Sequence, residues 1–147
     1  MTVFARLHAD CAALGTILFT VTKHDFNAML FRRLYSSHPD EYPATGTKPM
    51  ERDAWFDQCI TRGETFVANT PAAFADLFFD HALITGMGLG SAVNIPISDG
   101  GLVLGTVNLL AKNEHFSALR LTHYQDAVTR HAPDLVAVLT ARGATPG

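Results

Sequence analysis

The sequence predicts an α+β fold in which an antiparallel sheet is covered on one face by helices from the two ends of the chain. Three observations carry this. Large apolar residues recur at three-and-four spacing at both termini, the periodicity of a helix with one buried face. The middle of the chain holds short runs rich in β-branched and aromatic residues, the composition of strands. Polar and glycine-containing turns join successive runs as hairpins.

Phe4, Leu7, Cys11 and Leu14 fall on one face of a helix over residues 2–14, which Gly15 stops. Thr16–Thr22 and Phe26–Tyr35 follow as two antiparallel strands joined at Lys23-His24-Asp25. Ser36 to Met50 contains Pro39, Pro43, Gly46 and Pro49. That composition opposes both helix and sheet pairing and predicts a long ordered loop, of the kind that serves as a lid or binding segment. A helix over Arg52–Arg62 turns Ala54, Trp55, Gln58 and Cys59 inward and ends at Gly63, and Thr65–Ala68 is a short strand. Asn69-Thr70-Pro71 is a helix start, and Asp80 is positioned to cap a second short helix through Thr85. Gly86, Gly88 and Gly90 break helical order before the hairpin Ser91–Ile97 and Leu102–Leu110, which turns through Ser98-Asp99-Gly100-Gly101. Ser117 caps a last helix with Leu121, Tyr124, Val128, Leu135 and Val138 on its apolar face, and Pro133 is expected to kink or restart it. Ala144–Gly147 reads as a loose tail. The organisation is one domain over residues 1–147: an N-terminal helix at about 2–14, a core at about 15–116 and a C-terminal helix at about 117–141.

The 147 residues are 48% hydrophobic and 17% charged, enough to build a core and too apolar for a disordered chain. Eleven basic against fourteen acidic residues give a net charge of −3, and no Lys/Arg run could follow a phosphate backbone, so nucleic acid is not an expected partner. The longest apolar stretch, Leu102–Ala111, is interrupted by Gly105, Thr106 and Asn108 and falls short of the about 20 residues of a membrane span. With no basic leader ahead of an apolar segment, the expectation is a cytoplasmic protein that does not bind membranes. Cys11 and Cys59 form no CxxC pair and no disulfide framework.

The segments Arg33-Leu34-Tyr35-Ser36-Ser37-His38-Pro39-Asp40-Glu41-Tyr42-Pro43, Gly90-Ser91-Ala92-Val93-Asn94-Ile95-Pro96-Ile97 and Gly105-Thr106-Val107-Asn108-Leu109-Leu110, together with the element order, resemble the GAF domain family from about Leu14 to about Ala141. The resemblance implies a stand-alone GAF domain with a PAS-like central sheet, terminal helices on one face, and a small-molecule pocket on the other beneath loops and short helices. Many such domains are sensory modules, with cyclic nucleotides, bilins, haem and other small metabolites among the family's ligands, and some members only dimerise. Several family signatures are missing. Bilin binders carry their cysteine in a Cys-His pair or an Asp-x-Cys-Phe loop, whereas this chain has Gln58-Cys59-Ile60. The free methionine sulfoxide reductases of this fold use several pocket cysteines, against Cys59 and a helical Cys11 here. Neither Asn27 nor Asn69 opens the Asn-Lys-Phe-Asp-Glu pattern of phosphodiesterase-type nucleotide binders. The cofactor is left unknown, with no covalent chromophore supported.

The candidate pocket consists of Tyr42, Trp55, Phe56, Phe79, His81, Met87, Ser91, Thr106 and Asn108. The aromatic residues, with Phe66, Phe74 and Phe78 nearby, could stack a flat heterocycle or simply pack as core. Placing Ile97 opposite Leu102 puts Ile95 with Leu104, Val93 with Thr106 and Ser91 with Asn108 on one face, and Asn94 on the other. Thr106 and Asn108 then either fix a ligand or bond among themselves and to backbone. Arg32 and Arg33 point to opposite faces, so at most one reaches a pocket and could hold an anion; pairing with Asp40 or Glu41 is the competing role. His38, Asp40 and Glu41, Asp76, Asp80 and His81, and Glu114 with His115 show neither HExxH nor zinc-finger spacing, and no metal is expected. Gly86-Met87-Gly88-Leu89-Gly90 lacks the strand and helix of a phosphate loop.

The leading expectation is a non-catalytic small-molecule sensor with an unknown ligand. One alternative is a small redox enzyme with Cys59 as thiolate nucleophile, which needs an exposed, acidic thiol. Another is a ligand-free dimerisation or partner-binding module whose pocket is filled by its own aromatics. The stripes Phe4, Leu7, Cys11, Leu14 and Leu121, Tyr124, Val128 suggest a homodimer through the terminal helices.

Overall fold

In a computed structural model that describes residues 1–141, eleven of the chain's segments form regular structure around one six-stranded sheet. The predicted tail Ala144–Gly147 lies outside the described residues. In chain order these are α1 (Val3–Ala13), β1 (Leu18–Asp25), β2 (Leu30–Ser36), β3 (Thr47–Pro49), α2 (Ala54–Phe56, widening into a π turn over Asp57–Thr61), β4 (Phe66–Ala68), α3 (Pro71–Phe74), α4 (His81–Gly86), β5 (Ser91–Asp99), β6 (Leu102–Ala111) and α5 (Ala118–Thr140). The sheet is antiparallel throughout, in the order β3-β2-β1-β6-β5-β4. The α+β expectation is borne out.

Strand alternation builds two cores. Phe19 and Val21 of β1, Val93, Ile95 and Ile97 of β5, and Val107 and Leu109 of β6 pack under α1 and α5, against Phe4, Leu7, Cys11, Tyr124, Val128, Leu135 and Leu139. Their sequence neighbours Leu18, Ala92 and Leu110 join Phe31, Phe56, Ile60, Phe66, Phe74, Ile84 and Leu89 on the other face. The period of two along each strand makes this division. The apolar stripes that suggested a dimer are thus mostly consumed in the chain's own core, since Phe4, Leu7, Cys11, Tyr124 and Val128 are all buried there. Outside it, α1 and α5 are tied by Arg6–Asp134 at 3.3 Å and by Asp10 with His131 at 2.7 Å and Arg130 at 3.8 Å.

Five sequence expectations are corrected. The first hairpin turns at Phe26–Met29 rather than at Lys23–Asp25, because Asp25 accepts the Ala28 N–H at 3.0 Å and closes the turn one step later. Thr47–Pro49, expected to be loop, pairs with Leu30–Arg32; a proline is tolerated because β3 is the sheet edge. α5 does not restart at Pro133 but runs through it as one helix, the lost backbone bond being offset by a buried face from Tyr124 to Leu139. The helix expected over Arg52–Arg62 has only three α-helical residues before it widens. The β5–β6 register also differs. Gly100 and Gly101 both adopt left-handed φ (59° and 84°) in a two-residue turn closed by Asp99 opposite Leu102. A bulge follows between Ile97 and Ser98, so Ile97 faces Gly105 and Asn94 faces Asn108. The change of parity brings Asn94 to the same side of the sheet as Asn108.

Two contacts anchor the segment between β4 and β5. The Asn69 side chain donates to the Phe116 carbonyl and accepts its N–H, each at 2.9 Å, and the Asn69 carbonyl accepts the Glu114 N–H at 2.8 Å. Gly90 N–H donates to Ala111 O at 2.9 Å, and a Cβ on Gly90 would press on Asn113 at 2.9 Å. Among the described residues no helix is long and apolar enough to cross a membrane.

Candidate functional site

The sheet face opposite the terminal helices is the floor of a cavity of about 940 Å³. Its polar centre comes from alternate residues of three adjacent strands: Thr20 and Thr22 of β1, Thr106 and Asn108 of β6, and Asn94 of β5. These side chains form a directed chain of hydrogen bonds. The Trp55 indole N–H donates to Asn94 Oδ1 at 2.9 Å, Asn94 Nδ2 donates to Asn108 Oδ1 at 2.8 Å, and Asn108 Nδ2 donates to Thr20 Oγ1 at 3.1 Å and Thr22 Oγ1 at 2.9 Å. An indole can only donate, so Asn94 must present its oxygen to Trp55, and every later amide orientation follows from that. Asn108 spends both N–H donors on the threonines, leaving each threonine hydroxyl a proton of its own to offer.

Leu18, Phe31, Leu77, Phe78, Ile84 and Leu110 supply apolar wall. The edge of Trp55 meets Phe31 at 5.7 Å between ring centroids. The roof has two parts, the β2–β3 loop around Glu41, Tyr42 and Gly46, and the α3–α4 connection from Ala75 to His81. Tyr42 joins them: its hydroxyl donates to Asp80 Oδ2 at 2.6 Å, and the Arg33 guanidinium lies 5.0 Å from its ring centre. Burial and the Asp80 carboxylate push the Tyr42 phenol upward from its usual range. Arg33 also donates from Nη1 to Pro43 O at 2.9 Å, and a Cβ on Gly46 would meet that same nitrogen at 2.5 Å. Beside the mouth, Lys48 Nζ sits 5.0 Å from the ring centre of Phe79, which is 78% exposed.

Of the sequence candidates, Tyr42, Trp55, Phe79, His81, Thr106 and Asn108 line the cavity. Phe56 is buried beneath the Arg52 guanidinium, Met87 packs at the margin of the second core, and Ser91 points away, its hydroxyl donating to Lys112 O at 2.7 Å. Asn94, placed on the far face by the sequence register, belongs to the floor. Asp80 makes no side-chain bond to the α4 amides and instead receives Tyr42. Arg32 pairs with Asp25 at 2.9 Å, neither with Asp40 nor with Glu41, while Arg33 faces the cavity. Sequence reasoning missed Thr20 and Thr22, although the alternation Phe19-Thr20-Val21-Thr22 shows a strand with one apolar and one polar face.

Cys59 and Cys11 are fully buried, and burial pushes each thiol up to about 12. Among the described residues no three His, Cys, Asp or Glu side chains cluster for a metal. His24 lies on the cavity side of β1, against Phe31 at 5.3 Å and Phe26 at 6.1 Å. Its Nδ1 donates to Val103 O at 3.3 Å, its buried Nε2 has no partner among the described residues, and burial pushes the imidazole down to about 4.

No family model matches the sequence, and no curated protein matches it. Solved structures match over nearly the whole chain. A GAF domain/HD domain protein from Geobacter sulfurreducens is 14% identical with a TM-score of 0.71, covering 95% of this chain and 96% of that one. The GAF domain of a two-component sensor histidine kinase from Bacillus halodurans is 14% identical with a TM-score of 0.71 and covers 92% of each. A type II free methionine-R-sulfoxide reductase from Thermoplasma acidophilum is 9% identical with a TM-score of 0.60, covering 91% of this chain and 92% of that one. At these identities the similarity establishes the fold, which is that of GAF domains.

Proposed function

We propose that this chain is a sensory module that binds a small molecule and performs no chemistry of its own. The ligand lies between the Thr20, Thr22, Asn94 and Asn108 floor and the roof carrying Tyr42 and Phe79. The observation that carries this reading is the directed amide and hydroxyl chain at the base of an aromatic-walled cavity. Binding sites have this design, mostly apolar with a few polar groups fixed in orientation. The redox alternative requires a thiolate at Cys59, and a thiol that is fully buried and pushed up to about 12 supports the non-catalytic reading. The ligand-free alternative requires the aromatics to fill the pocket, whereas a cavity of about 940 Å³ remains beside them.

A ligand on this floor contacts both parts of the roof and the strands whose opposite face carries α1 and α5. Its differential affinity for roof positions is what shifts the population between them. Native mass spectrometry of gently purified protein, compared with its denatured mass, tests the reading; a defined mass excess is expected. Ligand-free protein that also shows no thermal shift and no displaced Trp55 indole signal across a metabolite library refutes it. We also propose a homodimer through the terminal helices, for which Leu14 and Leu121 are the members of the predicted stripes left only half-buried. A concentration-independent monomer in light scattering removes it.

A further inference from the structure

Arg33 is the unusual charge of the cavity. Arg6, Arg32, Arg62 and Arg130 each have a carboxylate oxygen within 4.0 Å, whereas Arg33, Arg52 and Arg120 have none among the described residues, and of these three only Arg33 lines the cavity. It is half-buried, its side-chain hydrogen bond goes to the neutral Pro43 carbonyl, and Asp80, the roof acid whose charge acts on it, has Oδ2 accepting from Tyr42. Burial pulls the guanidinium downward from its usual range, the direction expected of a charge taken from water without full compensation. In the β2–β3 register Lys48 stands opposite Phe31, two residues from Arg33, which puts both cations on the cavity face as diagonal neighbours. Lys48 likewise has no carboxylate within 4.0 Å among the described residues.

The surrounding acids set the charge of what fits. Glu41, Glu51, Asp53, Asp76 and Asp80 line the same space, so two cations meet five carboxylates. Glu41, Glu51 and Asp76 are exposed at the rim, where solvent screens them, and Asp53 accepts the Phe56 N–H as a helix cap. The inner cation therefore has no carboxylate in contact, Asp80 acting on it only from beyond 4.0 Å with one oxygen already accepting from Tyr42, while the rim is negative. Each additional negative charge on a ligand works against that rim, which disfavours nucleotides and other polyanions. A single carboxylate matches the fork of the guanidinium.

We propose that the cavity takes a singly charged organic acid, its carboxylate held by Arg33 with Lys48 beside it, and its hydrogen-bonding, ring-bearing body on Thr20, Thr22 and Asn94. This rests on the reading of the cavity as a ligand site and names the class of ligand. Three matched probes test it: 4-hydroxyphenylacetate, its neutral amide 4-hydroxyphenylacetamide, and the cation tyramine, titrated while the Trp55 indole N–H resonance is followed. The acid binds at least tenfold more tightly than the amide or the amine. Arg33→Gln removes at least tenfold of the acid's affinity, Arg33→Lys restores part of it, and Lys48→Gln weakens it a few-fold, with circular dichroism confirming that each variant is folded. An amide or amine that binds as tightly as the acid, or an acid affinity unchanged in Arg33→Gln, overturns the acid proposal and leaves the cavity a binding site. If no probe moves the Trp55 signal, the acid proposal falls, and the native mass and the metabolite library decide the binding-site reading separately.

Discussion

His24 should make the fold acid-sensitive, and the size of the effect follows from its surroundings. The imidazole is 5% exposed, donates one hydrogen bond to Val103 and packs its ring against Phe26 and Phe31. Its folded-state value is about 4, against 6.5 in an unfolded chain. A group whose folded value lies below its unfolded value binds protons preferentially when the chain is open. Stability is therefore intact above pH 6.5, falls as the pH drops through 6.5, and levels off below about 4. The gap corresponds to about 3 kcal/mol at full extent and about 2 kcal/mol between pH 7 and pH 5. Against the typical 5–15 kcal/mol of domain stability this is a large fraction. His24→Phe keeps an aromatic ring between Phe26 and Phe31 and removes the titration. The measurement is urea denaturation of both proteins from pH 8 to pH 4.5, taking the difference at each pH so that other titrating groups cancel. The wild type should lose about 2 kcal/mol relative to His24→Phe between pH 7 and pH 5. A difference that stays constant within about 0.5 kcal/mol over that range shows that His24 is hydrated or free to move, and the argument from burial fails.

Asn108→Leu removes the centre of the polar floor, stranding Asn94 and two threonine hydroxyls, and should cost about 1–3 kcal/mol in denaturant titration while red-shifting the fluorescence of Trp55. Gly105→Ala drives a methyl group into the Thr22 carbonyl oxygen across the β1–β6 pair and should destabilise by about 1–3 kcal/mol or more, read as a lowered melting temperature. Cys59 and Cys11 should both resist iodoacetamide in the native protein at neutral pH and react fully once unfolded; rapid native labelling of Cys59 would revive the redox alternative. Tyr42→Phe should cost about 1–3 kcal/mol by leaving Asp80 without its donor, and should raise proteolytic cleavage in the α3–α4 connection.

The sheet and its helical cover were legible because their signals are local. Phe4, Leu7 and Cys11 repeat at helical spacing, and β1 and β6 alternate between apolar and polar residues, so period alone assigns them to a core. The site was less legible because it depends on parity and on distant partners. Two left-handed glycines and one bulge decide whether Asn94 joins Asn108, and sequence reasoning with a four-residue turn put the two on opposite faces. Arg33 and Arg32 look alike in sequence, and only the turn acid Asp25 separates the paired cation from the one in the cavity. Tyr42 and Asp80 lie 38 residues apart, so no local pattern announces their bond, and the preference of aspartate for helix starts points to a cap that is not made.

The anchors at Asn69 and Gly90 constrain how the roof over the cavity can travel. Both ends of the segment carrying α3 and α4 are fastened to the stretch from Ala111 to Phe116, which leads directly into α5. A segment fastened at both ends to one short strip is held against sliding across the cavity. The link to the root of α5 is made by the Asn69 side chain and by backbone bonds at Asn69 and Gly90. The root of the long C-terminal helix and the roof of the cavity thus share one short strip of chain, and the Tyr42–Asp80 bond closes the roof at its opposite side.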